Sequence, residues 1–125
     1  AIVKYGGKRY VTVKKYLHPE NLPGKKRSQY YVNYLRTRGP VNWRGRKYTY
    51  YTSRLLPIYR LPVPGLHLDS NGMWCDKWDY IVLGSSRVNK ANKAIIATPF
   101  GKYGKVYDTG TVNTPSWLCD TAVNW

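Results

Sequence analysis

The sequence predicts a mainly β chain closing into a small barrel, and three observations carry that expectation. Thirteen Tyr, five Trp and eleven Gly in 125 residues favour strands and turns over a helical bundle. The runs Tyr80-Ile81-Val82-Leu83, Ala94-Ile95-Ile96-Ala97-Thr98 and Gly104-Lys105-Val106-Tyr107 read as buried strands. Their spacing, about a dozen residues, suits a closed barrel of few short strands. A chain of this length can bury its own core without disulfides.

Taken in order, Ala1-Ile2-Val3-Lys4-Tyr5 and the alternating run 9–16 flank Gly6-Gly7, the pattern of a basic β-hairpin. Breakers and charge gather in 18–27, which marks a loop or linker. Residues 28–38 fit a short helix or a strand equally, because Gln29-Tyr30-Tyr31-Val32-Asn33-Tyr34-Leu35 is rich in aromatic and β-branched side chains. Segment 39–46 is turn-rich, and 47–56 reads as a strand entering a loop punctuated by Pro57, Pro62, Pro64 and Gly65. Gly84-Ser85-Ser86 and Pro99 are expected to stop the first two buried strands. No internal repeat or low-complexity tract occurs. We divide the chain into a basic N-terminal arm or hairpin, 1–38, and a main unit, 39–125.

Charge divides the chain as well. Residues 1–65 hold fifteen of the 21 Lys and Arg against the single acid Glu20, a net +14, while 66–125 hold six bases and five acids, a net +1. Such a basic half suits an anionic partner: nucleic acid, an anionic membrane surface or the phosphate-rich polymers of a cell wall. Lys and Arg interleaved with Tyr5, Tyr10, Tyr16, Tyr30, Tyr31 and Tyr34 also describe a phosphate-tracking, base-stacking surface, although no RNP-type aromatic pair or zinc-finger spacing accompanies them. Lys14-Lys15 and Lys25-Lys26-Arg27 fit a plain solvated face too.

No apolar run approaches the roughly 18 residues of a membrane-spanning helix. The chain begins at Ala1 with no apolar leader core, as a mature secreted form or an excised piece would. Cys75 and Cys119 suit either one bridge closing a long loop or two buried thiols. Together with His18 and His67 they lack the short spacings of a zinc site, so no metal or cofactor is implied. A Cys75–His67 nucleophilic pair is conceivable, but a small buried Cys beside Trp74 is the simpler reading.

The residues that point to chemistry are Asp108, in Val106-Tyr107-Asp108-Thr109-Gly110, and Asp120, in Cys119-Asp120-Thr121-Ala122-Val123-Asn124-Trp125. Two carboxylates twelve positions apart, each near a strand end in an acid-poor chain, suit acid/base work on a polar substrate. Asp108 also fits a turn-capping role, and Asp120 a partner for a Lys or Arg.

These motifs, with Gly39-Pro40-Val41-Asn42-Trp43, Tyr48-Thr49-Tyr50-Tyr51-Thr52, Leu61-Pro62-Val63-Pro64-Gly65, Asp79-Tyr80-Ile81-Val82 and Thr98-Pro99-Phe100-Gly101, resemble in order the three-aspartate domain family. That family is grouped with RlpA-like proteins, lytic transglycosylase A-like enzymes and phage-encoded wall enzymes. The resemblance spans 39–125 and implies a small six-stranded double-psi β-barrel. It implies cleavage of the glycan strand of peptidoglycan by a secreted or phage-borne, lytic transglycosylase-like enzyme acting in the extracellular space or cell wall.

In that resemblance Asp120 matches the family's last aspartate and would be the general acid/base, while Asp108 matches the middle one and would raise its neighbour's proton affinity. Where the family has its first aspartate this chain reads Leu83-Gly84-Ser85-Ser86, with Asp79 and Asp76 further upstream. Three readings follow: Asp79 substitutes, the constellation differs, or the barrel binds glycan without cutting it.

Trp117 and Trp125, which bracket Asp120, are candidate sugar-stacking walls, as is Tyr50, while Thr109 and Ser85 are candidate hydroxyl donors to glycan. Peptidoglycan is the expected partner, with the basic arm holding anionic wall polymers. Nucleic acid ranks second. The alternative to an enzyme is a non-catalytic binder of polyanion or glycan.

Overall fold

The computed structural model describes residues 21–55, 58–110 and 113–125, so the expected hairpin in 1–16 lies outside the described residues. The fold is mainly β with few helices. In chain order the elements are α1 (Gly24–Arg38), β1 (Val41–Trp43), β2 (Arg46–Thr52), a 3-10 turn (Ile58–Arg60), β3 (His67–Leu68), β4 (Trp74–Cys75), β5 (Ile81–Ser85), α2 (Arg87–Ala91), β6 (Ile95–Ala97), β7 (Tyr103–Thr109) and β8 (Leu118–Val123).

Local propensity left 28–38 open between helix and strand; tertiary burial makes it a helix. Tyr31, Val32 and Leu35 fall on one helical stripe and are buried, anchoring α1 to the core. Arg36 and Arg38 occupy the last turn, where cations complement the helix dipole. Gly39, at φ 97, ends the helix by donating its N–H to the carbonyls of Tyr34 and Leu35. Among the described residues no helix is long and apolar enough to cross a membrane.

A two-residue turn, Arg44 (φ 49) and Gly45 (φ 78), joins β1 to β2, with both central residues left-handed as a type I′ hairpin requires. β2 then runs parallel to β8 over six register pairs, from Lys47↔Leu118 to Thr52↔Val123. The organising strand is β5. Along one edge it pairs first with β4 (Cys75↔Ile81) and then with β8 (Leu83↔Thr121, Gly84↔Asp120), and β7 runs parallel along the other. The path β1-β2-β8-β5-β4-β3 curls as an open half-barrel, with β7 and β6 continuing from β5.

β5 runs further than the sequence suggests. Gly84 and Ser85 stay in the strand, and Ser86 caps α2 by accepting the N–H of Asn89 at 3.1 Å.

Both faces of the sheet are covered. On one, Tyr48, Ile81, Leu83, Val106, Cys119 and Val123 pack with the buried stripe of α1 and with Phe100. On the other, Val82, Ala122, Tyr51 and Tyr107 pack beneath Trp74, Ile58 and the Pro-rich segment through Leu66. The period of two along each strand therefore separates two cores.

Both cysteines are free thiols buried in the first core. Cys75 contacts the Met73 carbonyl and the Lys102 ammonium, each at 3.7 Å, and burial pushes its thiol up to about 12. His67 instead lies against the Gly65 carbonyl (2.9 Å) and Asp79 (3.5 Å). These contacts make Cys75 an inert core residue rather than a nucleophile.

Candidate active site

Asp108 and Asp120 meet at Gly84. Gly84 pairs with Asp120 on β8 along one edge and with Asp108 on β7 along the other, so the two aspartates flank one glycine on three adjacent strands. Gly84 shares the face of Val82, the face of the second core. A Cβ built on it would lie 3.6 Å from Cβ of Asp120, 3.7 Å from Cβ of Asp108 and 3.8 Å from the Tyr51 ring edge. Both carboxylate stems thus rise on the same face, and the missing side chain leaves between them a gap of about one methyl group.

A backbone irregularity brings Asp108 there. Between Leu83 and Gly84 the β5–β7 register shifts by one: Leu83 pairs with Val106, but Gly84 pairs with Asp108, leaving Tyr107 as the extra residue. Without that shift Asp108 would oppose Ser85 and take the other face, because one residue of register exchanges the two sides of a strand. Tyr107 uses its place to donate its hydroxyl to Oδ2 of the fully buried Asp76 at 2.6 Å, while Oδ1 of Asp76 accepts the N–H groups of Trp78 and Tyr80.

Asp120 accepts a hydrogen bond at Oδ1 from the hydroxyl of Thr49, its register partner on β2. Burial raises its pKa above the usual carboxylate range; the Thr49 hydrogen bond opposes that rise and the charge of Asp108 reinforces it. Asp108 accepts the N–H of Thr109 at 2.8 Å. Among the described residues no Lys or Arg pairs with either carboxylate; the ion pairs present involve Asp69 and Asp79. The Tyr51 hydroxyl is buried without a hydrogen-bond partner, and its pKa is raised by burial first, then by Asp108 and Asp120.

The other expected residues disperse. Ser85 points to the opposite face, 1% exposed, donating its hydroxyl to the Leu118 carbonyl (2.7 Å) and accepting from Asn89 (3.0 Å). Thr109 pairs with Ser85 at the end of β7. Trp125 packs against Tyr50 with ring centroids 4.7 Å apart, carries the Arg36 guanidinium 4.9 Å over its face and donates its indole N–H to the Asn71 carbonyl. Tyr50 alternates with Thr49 and Tyr51, so this pair stands across β2 from the carboxylates. Trp117 is half-exposed just before β8. Asp79, at φ 69, is held by Lys102 (2.9 Å) before the start of β5, at the opposite end of that strand from Gly84.

Thr49, Tyr51 and Gly84 thus complete the site. Alternation within Tyr48-Thr49-Tyr50-Tyr51 pairs Thr49 with Tyr51, but only the distant pairing with β8 assigns that face to Asp120. No family model, curated protein or solved structure matches the chain.

Proposed function

We propose that this chain cleaves the glycan strand of peptidoglycan as a lytic transglycosylase-like enzyme, with Asp120 as general acid and then base. The observation that carries the reading is the convergence of Asp108 and Asp120 across the bare backbone of Gly84, with the proton affinity of Asp120 raised by burial and by its neighbour.

With Thr49 donating to Oδ1, Oδ2 of Asp120 carries the transferable proton. Asp120 gives that proton to the glycosidic oxygen as the C1–O bond breaks, and the Asp108 carboxylate stabilises the oxocarbenium-like charge. The C6 hydroxyl of the same sugar then bonds to C1, returning its proton to Asp120 and leaving a 1,6-anhydro product. One acid cycles and no water enters the balance.

The reading carries with it the double-psi barrel as the parent fold, a basic arm that holds anionic wall polymer, and an extracellular or phage-borne site of action. Lys25, Lys26, Arg36 and Arg38 on the exposed side of α1 extend that basic surface. The test is digestion of purified sacculi with mass analysis of the soluble products. Release of anhydro-muropeptides that Asp120→Asn abolishes supports the assignment; full activity in that variant excludes Asp120 as the acid.

The stretch Leu83-Gly84-Ser85-Ser86, which holds no acid where the resemblance places the first aspartate, favours a second reading: a glycan or polyanion binder that does not cut. It is distinguished by salt-sensitive sedimentation with sacculi, or a salt-sensitive shift of nucleic acid, without soluble products.

A further inference from the structure

The β1–β2 turn and the segment entering β8 border an open polar cavity of about 360 Å³, lined by Arg44, Gly45, Arg46, Asn89, Ser116 and Trp117. It is separate from the paired carboxylates. Arg46 precedes Thr49 by three residues, about 10 Å along a strand, and alternation turns its side chain to the opposite face.

Two arginines line this cavity, and among the described residues neither has a carboxylate within ion-pair distance. Nε of Arg46 is buried and has no acceptor, the kind of unmet donor that folded proteins rarely leave. Arg44 sits at φ 49, where a type I′ turn favours Asn, Asp or Gly, and its guanidinium is braced 4.4 Å over the Trp43 ring. The opposite wall is rigid: Asn89 donates to the Ser116 carbonyl and to the Ser85 hydroxyl, both at 3.0 Å, tying the approach to β8 onto α2.

From these features we infer that the cavity binds an oxyanion, a phosphate or a carboxylate, between Arg44 and Arg46. An oxyanion supplies the acceptor that Nε of Arg46 lacks and can take the two-pronged hydrogen bonds of a guanidinium. The volume exceeds that of a bare ion, and the half-exposed ring of Trp117 offers a flat wall to the organic group carrying it. The site stands whether or not Asp120 cleaves glycan.

The experiment titrates the full chain with inorganic phosphate and with acetate at constant ionic strength, chloride serving as the comparison. The NMR signals of Arg46 Nε–H and the Trp117 indole are followed. Saturable shifts with either oxyanion are expected, and the tighter of the two identifies phosphate or carboxylate as the natural group. Arg44→Asn suits the left-handed turn, so it should raise the melting temperature while weakening binding by about tenfold or more. Shifts that grow linearly with both oxyanions, that chloride reproduces, or that Arg44→Asn leaves intact overturn the proposal.

Discussion

Replacing Gly84 by Ala separates what the fold needs from what the proposed chemistry needs. The φ of Gly84 is not in the left-handed region, and the added methyl would meet Cβ of Asp120 at 3.6 Å, Cβ of Asp108 at 3.7 Å and the Tyr51 ring at 3.8 Å, all ordinary contact distances. Nothing has to move. Ala loses less backbone entropy than Gly on entering a strand, about 0.5–1 kcal/mol, and three new carbon contacts add roughly 0.1–0.2 kcal/mol each. The variant should therefore be more stable by about 1 kcal/mol, a melting temperature higher by about 3–6 °C for a chain of this size. The same methyl fills the floor between the carboxylates and lifts any sugar ring off Asp120 by more than about 1 Å, a displacement that costs on the order of a hundredfold in rate. Thermal unfolding by circular dichroism and product release from sacculi measure the two effects on one preparation. A lowered melting temperature refutes the packing argument. Undiminished cleavage in a stabilised variant refutes the placement of substrate over Gly84.

Gly104→Ala should do the reverse: its Cβ would come 2.5 Å from Cδ1 of Leu83 and 3.2 Å from the Ile81 carbonyl, so overpacking should cost about 1–3 kcal/mol in denaturant unfolding. Asp120 binds its proton more tightly folded than unfolded, so the stability it contributes is complete below the ordinary carboxyl range and is lost as pH rises through the elevated value. Asp120→Asn should accordingly gain stability relative to the parent across that window and show no gain at lower pH. Asp108→Asn removes a like charge and should move the basic limb of the pH–rate profile of sacculus cleavage to lower pH; an unmoved limb contradicts coupling between the two acids. Cys75, pushed up to about 12, should resist iodoacetamide at pH 8 in the folded protein and react once denatured, as read by intact mass.

Much of the strand content was legible because it is local. The apolar runs 80–83, 94–98 and 104–107 each start within a residue of a strand, β5, β6 and β7 in turn, and the breakers around Arg44-Gly45 mark a real hairpin turn. Whether the sheet closes was not legible, since that depends on pairings such as Thr49↔Asp120 between strands far apart in the chain. The two aspartates stood out because acids are scarce here. Thr49 and Tyr51 did not, because an alternating strand gives two faces without saying which one a remote partner shares. Trp125 shows the converse hazard: nearness in sequence to Asp120 suggested a sugar wall, whereas alternation put its contacts with Tyr50 and Arg36 on the other side of β2.

Where the molecule tolerates local cost is itself an argument for where it acts. Apart from Arg46 Nε and Trp74 Nε1, buried polar groups away from Gly84 are satisfied where they are deepest: Asp76 accepts three hydrogen bonds, Ser85 donates to Leu118 and Tyr48 donates to the Ala97 carbonyl. Around Gly84 the rule changes. A glycine interrupts a fully buried strand, the paired register slips by one residue, a partly buried aspartate has no cation partner among the described residues, and the Tyr51 hydroxyl lacks an acceptor. A Gly in mid-strand and an unmet buried donor each cost on the order of 1 kcal/mol. A core built for stability alone would shed them, since Ala fits at Gly84 without a clash. Their concentration on one face, around two carboxylates that a single backbone slip brings together, supports the proposed chemistry at this site.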